Sequence, residues 1–169
     1  MSSFIINPFS FGGAPQSLIY AIDCGRPAGG VVAGWDQDAF ATGGSTFGPT
    51  ADVVDVSAPN TAPLAVYQTV RFGTFTYNIT GLTPSDPCTV RLHFAACTGF
   101  GISAPGTTFD VSIEGVLELN DYDVFVEAGG NDIAIVEEFA STADGSGNLE
   151  IEFVTVATQS TVQGIEIYQ

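Results

Sequence analysis

The chain contains no lysine. Three arginines, Arg26, Arg71 and Arg91, face 19 acidic residues, for a formal net charge of −16 over 169 residues. A protein without the cations that release phosphate counterions is repelled by nucleic acid and by anionic membranes, so neither is an expected partner. Histidine occurs once, at His93, and the three cysteines (Cys24, Cys88, Cys97) form no C-x-x-C pair, which excludes a Cys/His zinc set of ordinary spacing. Cys88 and Cys97 differ by an odd number and would face opposite sides of one regular strand; all three read as buried free thiols rather than a disulfide framework. Every apolar run falls short of the ~18 residues a membrane span needs. The opening, MSSFIINPFSFGG, has neither the basic start nor the long apolar core of a secretory signal.

Catalytic patterns are also missing. No nucleophilic Ser or Cys in an elbow accompanies His93, which reads as a surface or inter-sheet residue on the polar side of its strand. Glu137 and Glu138 are neighbours on a strand and point to opposite faces, so they cannot share acid and base roles. Asn120, Asp121 and Asp123 carry oxygen ligands but not at the spacing of a helix–loop–helix calcium site. No enzyme activity, cofactor or metal is expected.

Alternation dominates what remains. Val90, Leu92 and Phe94 alternate with Arg91 and His93; Phe109, Val111 and Ile113 alternate with Asp110, Ser112 and Glu114. This is the period-2 signature of half-buried strands. The two segments read as a central pair flanking a Gly/Ser/Pro-bearing loop from Cys97 to Gly106, a position suited to function. Further strands are expected at 17–23, at 66–72 with 73–80 as a hairpin, at 116–119, 121–127 and 134–140, around Leu149–Phe153, and at Ile165–Ile167. The segment 31–60 reads as long and irregular, and so either functional or tied down. Nine or ten Thr- and Val-rich strands with regular turns predict an all-β antiparallel sandwich.

Several strings resemble one family. Ile22-Asp-Cys-Gly25, Val66-Tyr-Gln-Thr-Val-Arg-Phe72, Val90-Arg-Leu-His-Phe-Ala95, Phe109-Asp-Val-Ser-Ile-Glu-Gly115, Asn120-Asp-Tyr-Asp123, Ala128-Gly-Gly130 and Gly164-Ile-Glu-Ile167 occur in the order and spacing of the malectin domain. The resemblance implies a galactose-binding-like, jelly-roll β-sandwich over residues 17–169. It also implies non-catalytic binding of oligosaccharide, glucose-containing in known members, through loop aromatics.

Carried over by position, the aromatic and acid of the first long loop fall on Trp35 and Asp38, and the aromatic closing the 66–72 string falls on Phe72. In the loop after Ala95, Ala96 stands where the family has Glu, and Thr98 and Gly99 stand where it has two aromatics. Phe100 is the aromatic left to serve there. Arg71 and Arg91 are read as partners of structural carboxylates.

Residues 1–16 fall outside the resemblance. Phe4, Ile5, Ile6, Phe9 and Phe11 make them an apolar arm, read either as packed on the domain or as an anchor to another copy or a larger assembly. The opening Met-Ser-Ser-Phe-Ile-Ile-Asn-Pro-Phe is similar to the starts of phage virion proteins. The alternative function is therefore a structural or decoration protein of a virion, with an extracellular or particle-surface location in either case.

Overall fold

The computed structural model describes residues 15–30 and 32–169; the apolar arm residues Phe4, Ile5, Ile6, Phe9 and Phe11 lie outside them. Ten strands run through the described chain: β1 (Leu18–Asp23), β2 (Ala41–Phe47), β3 (Val70–Ile79), β4 (Pro87–Ala95), β5 (Thr108–Ile113), β6 (Val116–Asp123), β7 (Ala134–Thr142), β8 (Leu149–Ala157), β9 (Thr161–Val162) and β10 (Gly164–Tyr168). One sheet has the order β1-β10-β4-β7; the other has β2-β3-β8-β5-β6, with β9 beside β3. Every strand pair is antiparallel.

Alternation decides which side chains meet between the sheets. Val90, Leu92 and Phe94 of one sheet, and Phe109, Val111, Ile113, Leu149, Ile151 and Phe153 of the other, are all buried. The aromatic centre is continuous: Phe75 stacks on Phe153 at 4.5 Å, Phe153 meets Phe109 at 6.4 Å, and Phe109 meets Phe94 at 5.9 Å across the two sheets. Such offset and tilted contacts add to the area buried.

The structure corrects several expectations. The two alternating segments on either side of the Cys97–Gly106 loop are not hydrogen-bonded to each other. Both edges of β4 are occupied, by β10 and β7, so the loop carries the chain to the opposite sheet. The expected hairpin at 66–80 is instead a 3₁₀ turn at Leu64–Gln68 followed by the single strand β3. Gly73, expected to start a new strand, sits inside β3 with φ +89°, where the neighbouring strand shifts register between Gly43 and Ser45. A Cβ at Gly73 would lie 3.7 Å from the Cα of Gly44, and one at Gly44 would press on the Phe72 carbonyl at 2.7 Å. Paired glycines let the two backbones close around a bulge.

The 31–60 segment contains β2. The strand expected at 121–127 ends at Asp123, which caps the helix α1 (Val124–Ala128) by accepting from the N–H groups of Phe125 and Val126 at 3.0 and 3.3 Å. Gly129, at φ +77°, ends that helix. An Asp cap and a Gly stop outweigh the β propensity of Val-Phe-Val.

Part of the outer face of the four-stranded sheet, around Ala95 and Ala134, is covered. Val54, Ala62, Val66 and Tyr67 form a second core with Ala95, Cys97 and Ala134, joined by Val32, Trp35, Leu64 and Phe100. His93, read as a surface or inter-sheet residue, lies beneath this cover with no exposed area. Cys24, Cys88 and Cys97 are buried and free, as expected.

Removing a ring from the aromatic centre leaves a cavity that close-packed sheets cannot fill. Phe153→Ala is expected to lower stability by about 3–5 kcal/mol, read as a lower urea midpoint with an unchanged slope. Glu152→Ala, exposed on the next residue, should stay within about 0.5 kcal/mol of the parent.

Candidate functional site

At one end of the sandwich, the end of β2, the start of β3, the β4–β5 loop and the β8–β9 turn converge. Phe47, Val70, Phe72, Gly99, Phe100, Gly101 and Gln159 line an open cavity of about 360 Å³ there. Phe47 and Phe100 stand edge to face, with centroids 6.3 Å apart and planes at 87°. Phe47 is 53% exposed.

Each ring has a separate support. Phe47 pairs with Val70, and Phe72 with Ser45 on one side and Thr161 on the other. Phe100 closes a 3₁₀ turn, Thr98–Phe100, in which the Phe100 N–H donates to the Cys97 carbonyl at 3.1 Å and the Gly101 N–H to that of Thr98 at 2.9 Å. Asp52 holds the turn from below, accepting from the Thr98 hydroxyl and the Gly99 N–H, both at 3.2 Å. Any side chain at Gly99 would collide with Asp52 and Thr50. The Gly73 bulge fixes the remaining wall: its N–H donates to the Ser160 carbonyl at 3.0 Å and its carbonyl accepts from the Ser160 hydroxyl, which sets Gln159 beside Phe72.

Of the four residues expected to bind together, the structure brings Phe72 and Phe100 into one cavity and places Trp35 and Asp38 elsewhere. Trp35 packs edge-on against His93 at 5.3 Å, and a Cβ at Gly164 would lie 2.8 Å from its ring. Asp38 is 5% exposed and has both oxygens engaged. Its Oδ2 accepts from the Gly25 N–H at 2.9 Å and from Arg71 Nε and Nη2 at 3.1 and 2.8 Å; its Oδ1 accepts from the Tyr77 hydroxyl at 2.7 Å.

Phe47 and Gln159 were missed in the sequence. An aromatic immediately before Gly48-Pro49 was a usable signal for the first. Nothing in Ala-Thr-Gln-Ser-Thr marked the second.

Every arginine is held in an ion pair: Arg26 with Asp23 at 2.7 Å, Arg71 with Asp38 at 2.8 Å, and Arg91 with Glu138 and Glu166 at 2.7 and 3.0 Å. Among the described residues the cavity has no charged lining side chain. Nor does it hold an activated nucleophile. Burial pushes the Cys97 thiol far above its usual range, with Asp52 and Asp132 adding to the shift, and raises Cys88 to about 11. Glu138 faces Arg91 while Glu137 accepts from the Tyr122 hydroxyl at 2.9 Å, so the two carboxylates are separated as their spacing required.

A second hollow of about 400 Å³ involves Asn78, Glu114, Gly115, Asp144, Asn148 and Glu150. Its acids serve the backbone. Asp144 accepts from the N–H groups of Ser146 and Asn148, and Glu114 from that of Glu150.

Beneath Trp35, the Ala62 N–H donates to the Tyr67 hydroxyl at 3.2 Å. That hydroxyl lies 3.0 Å from His93 Nδ1, and His93 Nε2 lies 3.2 Å from Glu166. Burial raises Glu166, but the hydrogen bonds and charges of His93 and Arg91 outweigh it and hold the carboxyl below its ordinary value of 4.5.

Residues 18–168 match the family of the malectin domain. The kinesin-like protein KIN-14Q of Arabidopsis thaliana is 28% identical over 131 residues, 78% of this chain and 9% of that protein. The extracellular domain of ANXUR2 from Arabidopsis thaliana superposes with a TM-score of 0.76 at 19% identity, covering 90% of this chain and 49% of that one. The β-glucuronidase 2 of Bacteroides uniformis does so with a TM-score of 0.64 at 18% identity, covering 88% of this chain and 17% of that one. At these identities the structural likenesses show the fold alone. The chain spans about a tenth of the kinesin-like relative and about half of the ectodomain.

Two measurements check the polar supports. Asp38→Ala leaves Arg71 and Tyr77 buried without their acceptor and is expected to lower stability by about 3–5 kcal/mol, measured by chemical denaturation. Because Glu166 is lowered in the folded state, its contribution is present above about 4.5 and is lost as pH falls through the lower folded value. Acid titration of stability should show that loss in the parent, and Glu166→Gln should flatten it.

Proposed function

The chain belongs to the malectin domain family, and we propose that it acts as a non-catalytic carbohydrate-binding module whose site is the cavity between Phe47, Phe72 and Phe100. The observation that carries this reading is the convergence of three phenylalanines from three separate segments on one open hollow at a loop end. Pyranose rings offer apolar C–H faces that aromatic rings cover, while a few polar groups set orientation. Gln159 supplies such a group here.

The proposed ligand is a neutral oligosaccharide, with glucose-containing glycans the first to test. Absence of any lining cation argues against acidic glycans, and the net charge of −16 opposes their approach. Asp38 is assigned to holding the strands rather than to the ligand, since its oxygens already accept from four donors. A shallow site of this kind gains from several copies acting together, because linked weak sites raise the effective concentration of one another.

The test is a glycan array with the protein displayed multivalently, alongside Phe47→Ser, Phe100→Ser and Trp35→Ala, each verified as folded by circular dichroism. Binding to neutral glycans that drops about tenfold in either phenylalanine variant, as expected for a buried aromatic anchor, supports the site. Trp35→Ala should stay within about threefold, well under such an anchor effect. Loss in Trp35→Ala with retention in the phenylalanine variants would move the site to the Trp35 loop. Silence across neutral glycans rejects the function.

A further inference from the structure

We propose that the cavity selects neutral pyranoses bearing a methyl group on a substituent (6-deoxy, O-methyl or N-acetyl) over the parent hexoses. This rests on the carbohydrate-binding reading and goes beyond it, because it follows from a hydrogen-bond inventory of the walls.

Phe47, Val70, Phe72 and Phe100 contribute apolar side chains, Gly99 and Gly101 contribute none, and Gln159 alone contributes a hydrogen-bonding side chain. The loop's own donors are occupied. The Gly99 N–H goes to Asp52, that of Phe100 to Cys97, that of Gly101 to Thr98 and that of Gln159 to the Ala157 carbonyl at 2.9 Å. The backbones of Phe47 and Phe72 lie within the ladders of β2, β3 and β9. Among the described residues the Gln159 carboxamide makes no side-chain hydrogen bond, so it is the free polar side chain of the cavity, beside loop carbonyls that can only accept.

A parent hexose turns several hydroxyls toward any wall it approaches. Each one desolvated without a partner is unfavourable, and one carboxamide cannot satisfy them all. A methyl-bearing substituent makes no such demand and gains apolar contact. The perpendicular Phe47 and Phe100 rings form a corner in which one ring covers a sugar face and the other meets the substituent. The three substituents share the methyl and differ in polar needs: only an N-acetyl group offers both an N–H and a carbonyl to Gln159.

The experiment is calorimetric titration of the full chain with free sugars in matched pairs, so that the parent carries no methyl group. These are glucose against 6-deoxyglucose, 3-O-methylglucose and N-acetylglucosamine, with glucuronate as the acidic control. The methyl-bearing member should bind about fourfold tighter or better, the affinity equivalent of one buried methylene. The ratio should fall toward one in Phe47→Ser, whose exposed position spares the core. Gln159→Leu should weaken N-acetylglucosamine more than 6-deoxyglucose and 3-O-methylglucose, if the acetamide is the preferred source of the methyl. An equal loss for all three would assign Gln159 to the ring and the selectivity to the phenylalanines alone, which also supports the proposal. Parent glucose binding as tightly as its methyl-bearing partners, or glucuronate matching glucose, overturns the selectivity while carbohydrate binding stands. Absence of binding to every neutral sugar overturns both.

Discussion

The buried carboxylate of Asp38 holds together the part of the sandwich on which the cavity depends. It ties the turn at Gly25 to Arg71 and Tyr77 of β3, and Arg71 in turn donates to the Gly43 carbonyl of β2 at 2.6 Å. Phe72 follows Arg71 directly, and Phe47 ends the strand that Arg71 grips. A buried ion pair is tolerable only when its remaining lone pairs and protons are satisfied, and here both carboxylate oxygens accept. The same residue that looked like a sugar ligand in the sequence is what keeps the aromatic walls in register.

This use of Arg71 belongs to a wider pattern. With three cations in the whole chain and each one held in an ion pair, electrostatic stabilisation is internal and the surface is left anionic. The Arg91 cluster shows how tightly that polar material is shared. Arg91 reaches Glu138, Glu166 and the Tyr168 hydroxyl, while Glu166 also meets His93 under the cover formed by Trp35 and Tyr67. Ala62 donates to the Tyr67 hydroxyl, which pairs with His93 Nδ1, and His93 Nε2 pairs in turn with Glu166. The long segment before β3 is thus anchored on a polar relay at its base and an apolar cluster around it, which is why so long a connection is compatible with a compact domain.

The cavity is lined by side chains that differ from those the malectin resemblance implied. Where the malectin resemblance places two adjacent aromatics, this chain has Thr98 and Gly99, and the glycine is required because Asp52 packs against it. Phe100, one position further, reaches the hollow through the 3₁₀ turn, and Phe47 enters from a different strand. The result is a more apolar enclosure, with one carboxamide in place of a charged group.

Alternation of side chains carried most of the fold class. Strands β1, β4, β5, β7, β8 and β10 were legible, most clearly β5 and β8, whose buried and exposed positions follow the two-residue period, and burial of such apolar rows favours an antiparallel sandwich. Short-range chemistry could equally have revealed the Asp123 cap and the Gly129 stop of α1, where β propensity misled instead. Phe72 and Phe100, singled out through family position, line the cavity together. Which sheet a strand joins, whether Gly73 turns the chain or bulges it, and whether His93 meets water were not encoded within any local window. Those outcomes depend on partners some 20 to 90 residues away, such as Gly44 against Gly73 and Ser160 against the same bulge. The sequence by itself therefore determined an all-β chain with buried thiols and no spare cation. Long-range pairing and close packing settled that Asp38 and Trp35 support the sandwich, and that Phe47 and Gln159 complete its cavity.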